Sequence, residues 1–138
     1  MKTLKLLMII FWLSPALLSG CKKKSISNDK EITLQLNQGY NFTTKATGDW
    51  GYTTDLWYTD HLGTKYLEGN DHLEDLGTVD FDEVTYPYNT TWRNYWTPQV
   101  NHVYGLALRS TAGKHLALKV LEVAADSSFV KIKYRFLD

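Results

Sequence analysis

A two-residue alternation dominates the last third of the chain, and it leaves few choices of fold. Val130, Ile132, Tyr134 and Phe136 fall on one side of an extended run, with Lys131, Lys133 and Arg135 between them. Successive side chains of a strand point to opposite faces, so this run predicts a strand that buries Val130, Ile132, Tyr134 and Phe136 and keeps its cations in solvent. Residues 102–109 and 115–123 form two similar runs, and short polar turns join the three into an antiparallel meander. In the middle run Leu116, Leu118 and Val120 hold one face before Leu121 and Val123 switch sides, which predicts a bulge near Val120.

The same period recurs upstream. Ile32, Leu34 and Leu36 alternate with polar residues, Asn37-Gln38-Gly39 punctuates, and Tyr40 and Phe42 continue the pattern, so an opening hairpin is expected. Thr54, Leu56 and Tyr58 share a face, and His61-Leu62-Gly63-Thr64 turns the chain into Lys65-Tyr66-Leu67, a second hairpin. Asp71 with Glu74 three residues on, and Asp80 with Glu83, carry helix-capping patterns and predict one or two short helical turns. The fold expected is all-β: an antiparallel sheet or sandwich with a C-terminal meander. Residues 85–101 read as a long loop restrained by Pro87 and Pro98 and rich in aromatic rings. A loop of that length is usually functional or disordered, and its aromatic content argues against disorder.

The other end of the chain has a different grammar. Lys2 and Lys5 precede an apolar run beginning at Leu6, and Leu18-Ser19-Gly20-Cys21 follows. The run is shorter than the roughly 20 apolar residues that a spanning helix needs, and a charged start, apolar middle and small-residue end make a secretory signal. The last four residues have the form of a lipobox, in which the cysteine is acylated and becomes the mature N-terminus. The segment resembles bacterial lipoprotein signal sequences. The resemblance implies a signal peptide at 1–20, a lipidated tether at 21–30 beginning with Cys21, and a single domain at 31–138 held on a bacterial membrane, the outer one being expected. Cys21 is the only cysteine, so no intramolecular disulfide or thiolate site is available.

Formal charge is zero, which gives no electrostatic reason for a nucleic-acid partner. The chain has no Gly-rich phosphate loop, no Gly-x-Ser-x-Gly elbow and no His-Glu-x-x-His pair, so a non-enzymatic role is expected. Asn70, Asp71, Glu74 and Asp75 lack the order of a calcium loop and read as a solvated turn. What remains is aromatic and imidazole chemistry. Trp92, Tyr95 and Trp96 are the candidate walls of a ligand site, with His102 or His72 as candidate ligand-binding imidazoles. His61, His72 and His102 are the candidates for a metal, if two of them converge.

The run from Tyr104 to Val120, with Arg109-Ser110-Thr111-Ala112-Gly113-Lys114 at its turn, and the final strand Val130-Lys131-Ile132-Lys133-Tyr134-Arg135-Phe136 are similar to the closing strands of HmuY-like lipoproteins. Gly39-Tyr40-Asn41-Phe42 and Phe81-Asp82-Glu83-Val84 add to the likeness. The resemblance implies an all-β, lipid-anchored surface protein that holds haem between two axial side chains. The chain is shorter than that family and lacks its Asp-Trp-Asp strand near Trp50, and its histidines do not align with the family's ligands. Two functions stay open: haem binding, or a glycan- or protein-binding accessory module that uses exposed aromatic rings.

Overall fold

The computed structural model describes residues 28–49, 53–85 and 93–137. The expected leader, Cys21 and the expected tether up to Ser27 lie outside the described residues. Among the described residues nine strands form one antiparallel sheet: β1 (Lys30–Gln35), β2 (Gln38–Asn41), β3 (Ala46–Gly48), β4 (Leu56–His61), β5 (Thr64–Gly77), β6 (Arg93–Trp96), β7 (Val103–Ala107), β8 (His115–Val123) and β9 (Phe129–Leu137). The order is β1-β9-β8-β7-β5-β4-β2-β3, with β6 paired to β5. The fold is therefore all-β, as the alternation predicts, and it is one curled sheet rather than two.

The C-terminal meander is present in register. His115 lies opposite Leu137 and Val123 opposite Val130, and the register slips between Val120 and Glu122, where the change of apolar face predicts a bulge. Val130, Ile132 and Tyr134 are buried. Phe136 is not: it shares their face, opposite Leu116, but stands near the end of the strand and is 40% exposed. Alternation fixes which face a residue takes, and the depth of the core at that height decides whether it is covered.

The expected opening hairpin does not form. β1 pairs with β9, whereas β2 pairs with β3 and β4. Leu36 N–H donates to Ser128 O at 2.8 Å and the next residue, Asn37, donates to Tyr58 O at 2.6 Å. Asn37 itself has φ 65°, a left-handed conformation that asparagine tolerates. Two residues thus carry the chain from the edge strand β1 to β2, next to last at the other side of the sheet, and draw the two sides together at that end.

The helical turn expected at Asp71 is also absent, because β5 runs through it. Leu73 is fully buried opposite Leu106, and a core contact outweighs the small preference of a capping residue. β5 instead folds sharply here. Glu68 lies opposite Tyr95 and Leu73 opposite Arg93, so residues 69–72 bulge out against a single β6 residue. A Cβ on Gly69 would lie 2.7 Å from Leu73 Cβ, so only glycine fits the fold-back. The first half of β5 pairs with β4 and the second with β7.

The inner face is filled by Leu34, Phe42, Leu56, Tyr58, Leu67, Leu106, Leu118 and Ile132 among others, all essentially inaccessible. A smaller cluster on the outer face unites Phe81, Val84, Val103, Ala117 and Leu137. The 3₁₀ turn Phe81–Glu83 supplies it, capped as expected by the Asp80 carboxylate, which accepts from Asp82 N–H at 3.0 Å. Arg135, expected in solvent, holds this turn down instead. Its guanidinium donates to Phe81 O at 2.8 Å and Val84 O at 2.7 Å. Among the described residues no helix is long and apolar enough to cross a membrane.

Candidate functional site

The residues singled out by sequence do not form one site. Trp92 lies outside the described residues. Tyr95 and Trp96 are neighbours on β6 and so point to opposite faces. Trp96 turns inward, half-buried against the core, and its indole N–H donates to Leu73 O at 3.2 Å. Arg93 stacks on it, 4.8 Å from the ring centroid. Tyr95 turns outward and is 53% exposed.

The histidines are dispersed. His102 lies beside Tyr104 where β7 begins, and its Nδ1–H donates to both oxygens of Asp75, at 3.0 and 3.1 Å. That bond leaves Nε2 as the nitrogen able to accept. Tyr104 is fully buried, and burial pushes its phenol up to about 12. His72 is exposed on the bulge of β5. Its imidazole is felt by His115, a half-buried residue at the start of β8. Burial first, and then His72, lower the His115 pKa below its ordinary value. Among the described residues no three His, Cys, Asp or Glu side chains are grouped as a metal site.

One constellation does converge, on the outer face of β4, β5 and β6. Thr59 lies opposite Tyr66, Trp57 opposite Glu68, and Glu68 opposite Tyr95. Residues paired across strands share a face, and diagonal neighbours come within reach of aromatic rings. Tyr66 and Tyr95 accordingly meet edge to face with centroids 4.9 Å apart. His61 continues the strip, its ring 5.9 Å from Tyr66 and its Nε2 3.5 Å from Glu68 Oε2. Beyond Glu68 the face is closed by Trp57, buried over Gly39, where a Cβ would lie 2.7 Å from the indole Cδ1.

The hairpin that carries the strip is rigid at its turn. Asp60 accepts from Gly63 N–H at 2.7 Å and from the Lys65 ammonium, and these donors hold its carboxyl below the usual range. Gly63 has φ 87° and Leu62 has φ 53°, a left-handed pair suited to a two-residue hairpin. The result is an exposed ring edged by a carboxylate and an imidazole on a stiff support. It can stack on an apolar ring face while accepting and donating hydrogen bonds at its rim.

Sequence reasoning named Tyr95 and His61 but missed Tyr66 and Glu68. Their signal was the alternation Thr64, Tyr66, Glu68, which puts all three on the face opposite Leu67. Nothing in the sequence identified β6 as the strand laid beside them. A polar groove of 420 Å³ runs between residues 35–38 and residues 47–49 and contains none of the expected site residues. Comparison with protein-family models, with curated proteins and with solved structures finds no match to this chain.

Proposed function

We propose that this protein is a lipid-anchored envelope protein whose β domain binds glycan chains on the outer strip of β4, β5 and β6. The anchoring half of the reading is supported by the order of leader, lipobox and Cys21. The binding half is carried by one observation: Tyr95 is half in solvent yet held by the edge of Tyr66. An aromatic side chain with few rotatable bonds presents a large contact area at little entropic cost. A sugar ring laid on Tyr95 would place its hydroxyls beside Glu68, which accepts, and His61, which can donate.

The test is an oligosaccharide array probed with the chain from Ser25 onward, which keeps every described strand. Binding that falls about tenfold or more in Tyr95→Ala and in Glu68→Gln, with unfolding midpoints unchanged, supports the reading. Undiminished binding in both variants, or none by the parent chain, refutes it.

One observation favours haem as a second reading. Asp75 orients His102 as a carboxylate orients a metal-bound imidazole. Titration with haemin decides it: a saturable Soret shift that His102→Ala abolishes is the expected result, and an unshifted band is the contrary one.

A further inference from the structure

We infer that the end of the sheet at which the chain enters is a seat for an anionic lipid surface. This goes beyond the binding strip and rests on the lipid-anchor reading only for its direction. Lys30 lies opposite Tyr134 and Gln35 opposite Phe129, so the chain enters where β9 ends and β8 begins. The turn from β7 to β8 is at that same end, since Ala107 faces His115 and His115 faces Leu137. Thr43 Oγ1 lies 2.7 Å from both Ser110 Oγ and Thr111 Oγ1, which brings the turn from β2 to β3 against it. β6 also starts there, Arg93 being opposite Leu73, which is itself opposite Leu106.

This topology gathers four cations on one end: Lys45 from the first turn, Arg109 and Lys114 from the second, and Arg93 from β6. All four are exposed. Phe136 stands at the same end as the partly exposed inward residue of β9. The nearby Asp29 is held by Lys133 at 2.5 Å, and Asp55 is buried and bonded to Ser110 and Phe42. Asp80, Asp82 and Glu83 are exposed on the 3₁₀ turn that Arg135 holds over the outer face, and three further carboxylates mark the opposite end. Tyr58 O–H donates to Ser127 O, which sets the end of β4 beside the turn from β8 to β9, and Asp60, Glu122 and Asp126 belong to that region.

The chain outside the described residues fits a bilayer at the basic end. Seven peptide steps separate Cys21 from Asn28, a reach of about 25 Å at full extension. An acyl group on Cys21 would therefore hold this end close to the headgroups. Screening reaches about 8 Å at physiological salt, so cations seated on the surface would feel anionic lipid while those at the far end would not. Each seated Lys or Arg is worth roughly a fivefold gain in partitioning onto an anionic surface. With this end down, the strip on the outer face of β4, β5 and β6 stays open to solvent.

The test uses the chain from Ser25 onward, which lacks the cysteine and Lys22, Lys23 and Lys24. All the described strands and both apolar clusters lie within residues 30–137, so this chain keeps every described element. It is sedimented with phosphatidylcholine vesicles with and without phosphatidylglycerol. Expected is salt-sensitive partitioning onto the anionic vesicles alone, reduced about a hundredfold or more when Lys45, Arg93, Arg109 and Lys114 are all changed to Gln. The pair Lys45→Gln with Lys114→Gln, both in turns, gives a smaller loss in the same direction if the fourfold variant does not fold. Equal partitioning onto neutral vesicles, or no loss in either variant, overturns the inference. Acylation is read separately, from fatty-acid labelling of the full chain, so its failure is not confused with failure of the seat.

Discussion

Replacing Asp55 with Ala should unfold the sheet at far lower denaturant. This carboxylate is 1% exposed. It accepts from Phe42 N–H at 2.9 Å, from Ser110 N–H at 2.7 Å and from Ser110 Oγ at 2.8 Å. Its own N–H donates to Tyr40 O at 2.9 Å. One side chain thereby ties the end of β2 to the start of its neighbour β4 and to the turn between β7 and β8, which lies across β5 from them in the sheet order. In the alanine variant water can reach the exposed Ser110, but Phe42 N–H is buried and would be left unsatisfied at a cost of ~1–3 kcal/mol. Losing the charge-assisted bonds to Ser110 adds to this, and removal of a desolvated carboxylate offsets part of it. The net loss is about 3 kcal/mol, within the range seen when one partner of a buried charged group is removed. Asp55→Asn should recover little, because the amide turns one acceptor into a donor that faces a donor. Urea unfolding followed by tryptophan fluorescence measures both, with an expected fall of ~1–3 M in midpoint at an unchanged slope. A loss below about 1 kcal/mol in the alanine variant would show that the three strand ends hold together without this carboxylate.

Ile132→Ala should cost ~2–5 kcal/mol and Phe136→Ala much less, although both residues share a face, because only Ile132 is fully buried; equal losses would contradict the described depth of the core. Burial pushes Tyr104 and Tyr134 up to about 12 from an ordinary 10.0. The folded chain thus keeps protons that the unfolded chain releases, and stability that is complete below pH 10 falls by roughly 2–3 kcal/mol per tyrosine as the pH rises to 12. An unfolding midpoint that holds constant across that window would refute this. His115 is depressed by burial and by His72, so it folds neutral and loses stability as acid protonates the unfolded chain. In the variant His72→Ala, NMR titration should show the His115 pKa move upward, and a downward move or none would count against the pairing.

Patterns confined to one strand were legible in the sequence, and relations between distant strands were not. The alternation from Val130 to Tyr134, the bulge after Val120 and the Asp80 cap were all readable, because each depends on local geometry. Ile32 and Leu34 also announce a strand, but period two reports a face and not a partner, so the pattern points β1 at Tyr40 and Phe42 while its ladder is with β9. At Asp71 the capping composition was genuine and lost to the burial of Leu73 against Leu106. The site was half visible for the same reason. Tyr95 could be picked out as an aromatic ring in a long loop, whereas its meeting with Tyr66 and Glu68 depends on residues 69–72 bulging so that β6 can lie along β5. Asp55 gave no signal at all, since an acid between Thr54 and Leu56 looks like any surface residue until the turn at Ser110 is brought to it.

Whether ligand is taken on the outer strip is read most directly by chemical-shift mapping. A ¹⁵N-labelled chain from Ser25 onward would be titrated with the best oligosaccharide from the array. Expected are saturable shifts confined to His61, Tyr66, Glu68, Tyr95 and their immediate neighbours, and their disappearance in Tyr95→Ala. Shifts centred on His102 and Asp75, or on the groove between residues 35–38 and 47–49, with the Tyr95 region unmoved, would contradict it.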